Sequence, residues 1–342
     1  MANLICVTGG TGYIGSHTVV ELQNRGFEVV IVDNLSNSEK SVLDGIESIT
    51  GKRPHFEEFD ICDQSKFKAF LKKYTEIKAF IHFAAYKAVG ESVNKPLKYY
   101  RNNLQSLMNI LEGMRQFQIS SLVFSSSCTV YGQPDELPVD ESAPVQQAIS
   151  PYGNTKQISE EIISDFVNSY GNFNAIALRY FNPIGAHPSA KIGELPLGVP
   201  DNLVPFITQT AISLRKELKV FGDDYNTPDG SAIRDYIHVV DLARAHVVAI
   251  ERMISGKGKS SWEVFNIGTG EGASVLEVIK TFIESTGVSL NYSITERRPG
   301  DVEQVWAETT RANEELGWKA ELSLADALKS AWEWEKYYRN KK

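Results

Sequence analysis

The chain has 342 residues, 42% of them hydrophobic and 23% charged, a balance that suits a folded protein and excludes a disordered or fibrous one. Its 35 basic and 43 acidic residues leave a net charge of −8, so no broad basic surface exists for nucleic acid or anionic lipid, and any anionic ligand must be held locally. At about 150 residues per domain, the length predicts two domains or one large domain carrying a lobe. Cys6, Cys62 and Cys128 lie far apart and suggest neither a zinc site nor a disulfide framework. No apolar run approaches the ~18–20 residues of a membrane span, and the first residues lead into a strand-like run instead of a charged leader. A soluble protein of the reducing cytoplasm is expected.

In chain order, short apolar runs at 4–8, 28–33, 55–59, 79–83 and 121–125 alternate with helix-like stretches near 14–25, 39–50, 64–74 and 96–117. Runs that are apolar throughout, without alternation, predict strands buried on both faces, and hence a doubly wound α/β parallel sheet covered by helices on both sides. Beyond about residue 180 the texture turns Pro/Gly-rich, as in 181–188 and 195–200. Long irregular segments of this kind are usually functional loops, which places a smaller substrate lobe in 181–342 after a sheet domain in 1–180. Further α/β segments at 236–252 and 262–286 and a helix at 323–338 imply interwoven lobes, with part of 236–265 rejoining the first.

The first strand runs into Thr8-Gly9-Gly10-Thr11-Gly12-Tyr13-Ile14-Gly15 and then a helix. Gly9, Gly12 and Gly15 at that junction allow a tight turn, close approach to a pyrophosphate and close helix–strand packing. Asp33 ends the second strand, 18 residues past Gly15. A carboxylate there accepts hydrogen bonds from ribose hydroxyls and repels a 2′-phosphate, so the Rossmann-type dinucleotide site is expected to take NAD rather than NADP.

Ser150 and Pro151 open a helix that continues through Ile158, Ile162, Ile163 and Phe166, placing Tyr152 and Lys156 at i and i+4 on one face. A free phenol has a pKa of about 10, so Tyr152 serves as a base near neutrality only with a cation beside it, which Lys156 supplies. Ser127 follows a buried strand at the carboxyl edge of the sheet, where open α/β sheets bind ligands.

These motifs, together with Asp33-Asn34-Leu35-Ser36-Asn37-Ser38, the segment 87–92, Arg179 to Pro188 and Arg234 to Val239, resemble the extended short-chain dehydrogenase/reductase family, and within it the nucleotide-sugar 4-epimerases, over nearly the whole chain. The resemblance implies an isomerase that interconverts UDP-glucose and UDP-galactose at C4 through a 4-keto sugar, with N-acetylated UDP-hexoses as further substrates to test. It implies that Ser127, Tyr152 and Lys156 are catalytic. It assigns Tyr13, Ile14, Asp33 to Ser38, Asp60, Ile61, Phe83, Ala84, Ala85, Tyr86, Lys87, Asn102 and Phe181 to NAD, alongside the glycines and the catalytic three. It assigns Ser127, Tyr152, Tyr180, Asn182, Asn202, Leu203, Lys219, Val220, Phe221, Arg234, Arg298 and Asp301 to the UDP-sugar, with Val305 at a position that the family reads as a gate for a 2-acetamido group. The loop at 84–87 is bulkier than the Ala-Gly-Leu-Lys form common in bacterial members.

Three alternatives are weighed at this level. A 4,6-dehydratase shares the fold and the Tyr/Lys pair but needs an Asp-Glu pair after the edge serine, where Cys128 and Thr129 stand; a UDP-glucuronate 4-epimerase would differ mainly in its contacts to C6. A non-enzymatic dinucleotide sensor has no reason to keep Ser127, Tyr152 and Lys156 together. In the helix at 96–117, Leu97, Leu104 and Leu111 recur every seven residues, as do Tyr100, Leu107 and Met114. This seam fits packing on the chain's own sheet or on a partner, and the resemblance implies a homodimer through this helix and the one that starts at 151.

Overall fold

The structure, a computed structural model, describes residues 3–298 and 301–341. Its first half alternates strands and helices: β1 (Leu4–Thr8), α1 (Tyr13–Asn24), β2 (Glu28–Asp33), α2 (Val42–Thr50), β3 (His55–Glu58), α3 (Gln64–Lys73), β4 (Ile77–His82), α4 (Val89–Asn94), α5 (Pro96–Phe117), β5 (Ser121–Ser125), α6 (Pro151–Tyr170) and β6 (Asn174–Tyr180). Local chemistry sets the boundaries. Asp63 caps α3 by accepting from the amides of Ser65 and Lys66 at 3.1 Å. Ser150 caps α6 by accepting from Gly153 at 3.1 Å, with Pro151 in the first turn and Gly171 (φ +59°) ending the helix. Strand β3 is one residue shorter than the apolar run predicts, β4 begins two residues earlier, and the unpredicted α4 occupies the segment after Lys87.

The second half carries β7 (Asn182–Ile184), α7 (Leu203–Ala211), β8 (Leu218–Phe221), β9 (Ile233–Arg234), β10 (Tyr236–His238), α8 (Val239–Ile254), β11 (Trp262–Ile267), β12 (Ala273–Ser274), α9 (Val275–Thr286), β13 (Tyr292–Thr295), β14 (Gln304–Val305) and α10 (Leu324–Lys341). The main sheet is all parallel, in the order β11-β6-β5-β4-β1-β2-β3. Strands β1 and β5 are buried at every position, as a sheet covered on both faces requires.

One face packs Val19, Val20 and Leu22 of α1 and Leu242, Ala245 and Ile250 of α8 on Val7, Ile31 and Ile81. The other packs Phe67 and Phe70 of α3, Leu107, Ile110, Leu111 and Met114 of α5 and Ile163 of α6 on Cys6, Val30 and Phe124. After β10 the chain therefore returns to the sheet with α8 and β11, and Ala312, Leu316 and Trp318 also pack on that first core, while β7, α7, β8, β10, α9 and α10 surround a separate core of Val204, Ile207, Val220, Ile279, Phe282 and Leu328. Open α/β sheets bind ligands at the carboxyl ends of their strands, here the ends of β1, β4, β5 and β6, which locates the candidate cleft on the side of the smaller core. No described helix is long and apolar enough to cross a membrane.

Candidate active site

The turn after β1 is built for glycine. Gly9 has φ +73°, a Cβ there would lie 2.8 Å from the Ala84 amide nitrogen, and one on Gly15 would lie 2.2 Å from the Gly9 carbonyl. The loop after β4 and the first turn of α1 thus close directly on the glycine backbone. Gly12, the N-cap of α1, has no side chain with which to cap that helix, so its first amides and the positive end of its dipole face the cleft. Asp33 stands beside this turn. Its two oxygens accept from the Thr11 amide at 3.2 Å and the Leu35 amide at 2.9 Å, and Ser38 Oγ bridges Asp33 (3.4 Å) to Thr11 Oγ1 (2.7 Å). Asn34 Oδ1 accepts from the Ser36 amide at 3.0 Å, giving the 34–38 loop its shape around the carboxylate together with the left-handed Leu35 (φ +55°). A glycine cradle that any Cβ would fill, with an acid at the next strand end, fits an NAD-type dinucleotide.

The remaining cofactor candidates ring this turn. Tyr13 donates to the Gly185 carbonyl at 2.6 Å, tying α1 to the second lobe; Ile14 packs half-buried on the core. Asp60 lies exposed and accepts from the Cys62 amide at 2.8 Å, while Ile61 is buried below it. Phe83 extends β4 by donating to the Thr8 carbonyl at 3.0 Å, and its ring sits 4.6 Å from that of His246. Asn102 reaches Asn103 rather than the loop itself (3.0 Å). Phe181 is buried past the end of β6.

At the carboxyl end of β5, three side chains converge. Ser127 is buried, caps a short helical turn and accepts from the Thr129 amide at 3.2 Å. Lys156, buried on α6, donates to the Ser125 carbonyl at 2.6 Å, and its ammonium lies 5.9 Å from the Tyr152 ring centre. Burial pulls the Lys156 ammonium down to about 8, opposed by the nearby charge of Glu160. Burial pushes the Tyr152 phenol well above its ordinary range, with Tyr180 adding to the rise and a hydrogen bond from Ser127 opposing it. Tyr180 shares a 2.8 Å hydrogen bond with Ser125 Oγ, and burial pushes its phenol up to about 12.

Across the cleft, Arg234 binds Asp301 Oδ1 at 2.6 Å, Arg298 binds Asp301 Oδ2 at 3.3 Å, and Arg298 covers the Phe221 ring at 5.5 Å. Val305 is buried and pairs in register with Arg234. Asn182 opens β7 and pairs with Tyr236. Asn202 precedes α7, which starts at Leu203, and donates to Glu194 at 2.6 Å. Two candidates stand apart by side chain: Val220 belongs to the lobe core, and Lys219 lies exposed on Glu217 (2.5 Å) and Ser293 (2.8 Å).

Three further residues, unassigned from sequence, hold these parts together. Asn103, buried on α5, accepts from the Tyr86 amide at 2.9 Å and donates to the Tyr86 carbonyl and Thr155 Oγ1 at 3.1 Å, clamping the 83–87 loop to the helix of Tyr152. Glu194 joins Lys87 (3.5 Å) to Asn202, and Trp334 donates to its carbonyl at 2.9 Å. Asp235 is fully buried and accepts from the Thr269 amide and hydroxyl at 2.8 Å and the Gly270 and Ala307 amides at 3.2 Å, fixing the strand that presents Arg234. Only Asp235 carried a local signal, a charged residue heading the buried run 235–243.

Together, the all-parallel sheet, the glycine turn with its acid, and the Ser127, Tyr152 and Lys156 group at the sheet edge define an extended short-chain dehydrogenase/reductase. The family described as GDP-mannose 4,6 dehydratase matches residues 6–331. Among proteins, the chain is 47% identical to UDP-glucose 4-epimerase of Yersinia enterocolitica over 98% of each chain. Among solved structures, it is similar to UDP-glucose 4-epimerase of Stenotrophomonas maltophila with bound NAD and formylated UDP-arabinopyranose (TM-score 0.96, 45% identity, 100% of each chain). The same holds for the Bifidobacterium longum enzyme in complex with NAD+ and UDP (TM-score 0.94, 44% identity, 98% of this chain and 99% of that one). The chain belongs to the UDP-glucose 4-epimerase family.

Proposed function

We propose that this protein interconverts UDP-glucose and UDP-galactose by inverting C4 of the hexose, with NAD as its resident cofactor. The observation that carries this reading is the convergence of buried Ser127, Tyr152 and Lys156 at the sheet edge, facing a cation pair on the second lobe. When bound, the nicotinamide supplies a hydride acceptor at C4 and later returns the hydride. Tyr152 takes the proton of the 4′-hydroxyl and gives it back after the sugar has turned. Its phenol, raised by burial, needs a cation to do so, and Lys156 is placed to be that cation. Ser127 hydrogen-bonds the same oxygen and steadies proton transfer.

Arg234 and Arg298 suit a diphosphate on a protein of net charge −8, because a guanidinium offers paired donors of fixed geometry. Both are already held by one carboxylate, that of Asp301. Firm grip on UDP with a loosely held hexose lets the flat 4-keto sugar present its other face. Cys128 and Thr129 stand where a dehydratase needs its acid pair, and a thiol whose pKa burial pushes up to about 12 cannot replace a carboxylic acid. The chain is further read as a homodimer.

The test is Tyr152→Phe, which removes the acid/base oxygen and little else. Turnover of UDP-galactose should fall by roughly 10²–10⁴-fold while UDP and NAD binding persist. Near-normal turnover in this variant sinks the assignment.

A further inference from the structure

Beneath the three candidate catalytic residues lies a closed polar network that the reaction as described does not use. Glu160, one turn beyond Lys156 on α6, is buried and gripped by Arg179 of β6 through two hydrogen bonds, Nε to Oε1 at 3.0 Å and NH2 to Oε2 at 2.6 Å. Its Oε1 also accepts from Ser126 Oγ at 2.5 Å. Arg179 continues to Tyr131 Oη at 3.0 Å, and Tyr131 donates to Asn266 Oδ1 at 2.6 Å. Among the described residues, every one of these polar groups has a partner inside the protein.

Such an assembly is costly if stability is its only purpose. Desolvating two charges consumes most of what their attraction returns, and well-packed apolar side chains of the same volume often do as well. The network's location suggests what it does provide. Ser126 sits between Ser125, whose carbonyl receives the Lys156 ammonium, and Ser127. Arg179 is followed in the chain by Tyr180, which bonds Ser125 Oγ. Ser125 and Ser126 are thus fixed by side chains of α6 and β6, and Ser127 follows them directly in the chain.

We propose that Glu160 is a positioning residue for the reaction: held by Arg179, it anchors Ser126 and so orients Ser127, and it faces Lys156 as the anion that keeps its ammonium in place. This rests on the reading of Ser127, Tyr152 and Lys156 given above. The groups around Lys156 are few. Tyr152 and Glu160 face it from its own helix, the Ser125 carbonyl and the Phe124 ring (4.8 Å) from β5, and His82 from β4, while Arg179 and Tyr180 of β6 act through Glu160 and Ser125. Burial keeps His82 neutral, its pKa pulled down to about 3. Of these groups, Glu160 alone brings negative charge, and it favours the protonated lysine.

The experiment compares the NAD-loaded wild type with Ser126→Ala, Glu160→Gln and the double variant Glu160→Gln with Arg179→Gln, using kcat and KM for UDP-galactose against pH and UDP affinity by calorimetry. Ser126→Ala cuts only the link to the serine turn and leaves the ion pair whole. It should lower kcat by about 10- to 100-fold with KM within about twofold and no shift of the pH profile. Glu160→Gln should move the basic limb of kcat to lower pH while UDP affinity holds; the double variant, which removes one charge of each sign, should lower kcat as Ser126→Ala does. A purely structural network predicts wild-type kcat in folded Ser126→Ala and an unmoved basic limb in folded Glu160→Gln, and either result overturns the proposal. If the glutamine variants do not fold, Ser126→Ala decides alone. Failure of the underlying reading is visible separately, as absent wild-type turnover or persistent turnover in Tyr152→Phe, and would overturn this proposal with it.

Discussion

Tyr152 and Lys156 occupy one buried pocket that moves two acid–base groups in opposite directions, the phenol up and the ammonium down to about 8. Desolvation penalises whichever form is charged, so each group alone is driven toward neutrality. Paired, each charged form repays the other. The expected consequence is a loss of turnover as pH rises through about 8, where Lys156 gives up its proton. A kcat profile that stays flat through that region would contradict the role given to Lys156. The residues were legible from spacing because i and i+4 share a helix face whatever the tertiary structure does. Asn103 and Glu194 were not, since their partners lie far along the chain: Thr155 for the first, Lys87 for the second.

At the scale of elements, α5 divides the heptad seam read from its sequence. Leu107, Leu111 and Met114 pack into the chain's own core, whereas Leu97 is 64% exposed. A period of seven cannot tell a helix laid on its own sheet from one shared with a partner, because both bury a stripe of similar width. Here both patterns overlap on one helix. Tyr100 of α5 accepts from Asn154 of α6 at 2.7 Å, so the two helices present one surface, and Val93 of α4, 60% exposed, extends its apolar part. On the dimer reading, these exposed apolar side chains would lie in the contact. A homodimer through this surface should dissociate in Leu97→Glu, with the mass in light scattering at micromolar concentration falling by half. A monomeric mass for the wild type would refute the dimer reading itself.

For the whole molecule, the histidines determine acid tolerance. Burial pulls His17 and His82 down to about 3 and His238 and His246 to about 4, and the Nε2 atoms of His17 and His246 have no hydrogen-bond partner that could steady a charge. A folded-state pKa below the unfolded value of about 6.5 means that the unfolded chain binds more protons, so stability is full above that pH and lost as pH falls toward 3–4. Each histidine costs up to about 1.4 kcal/mol per pH unit, and four together about 5.5 per unit. Against a typical total of about 5–15 kcal/mol, unfolding by circular dichroism should have its midpoint between about pH 4 and 5.5. A fold that survives well below pH 4 would show that these imidazoles accept protons in place.

By itself, the sequence determined the alternating elements, the glycine turn with Asp33, the Tyr152 and Lys156 face and the edge serine. Each of these depends on residues close in the chain, where periodicity, caps and turn sterics act. The tertiary structure alone decided that Asn103 clamps the 83–87 loop to α6, that Asp301 holds Arg234 across 67 residues, and that Glu160, Arg179 and Ser126 meet beneath the site. These contacts join distant segments, and a buried charge or amide finds its partner only when packing excludes water and brings the two together.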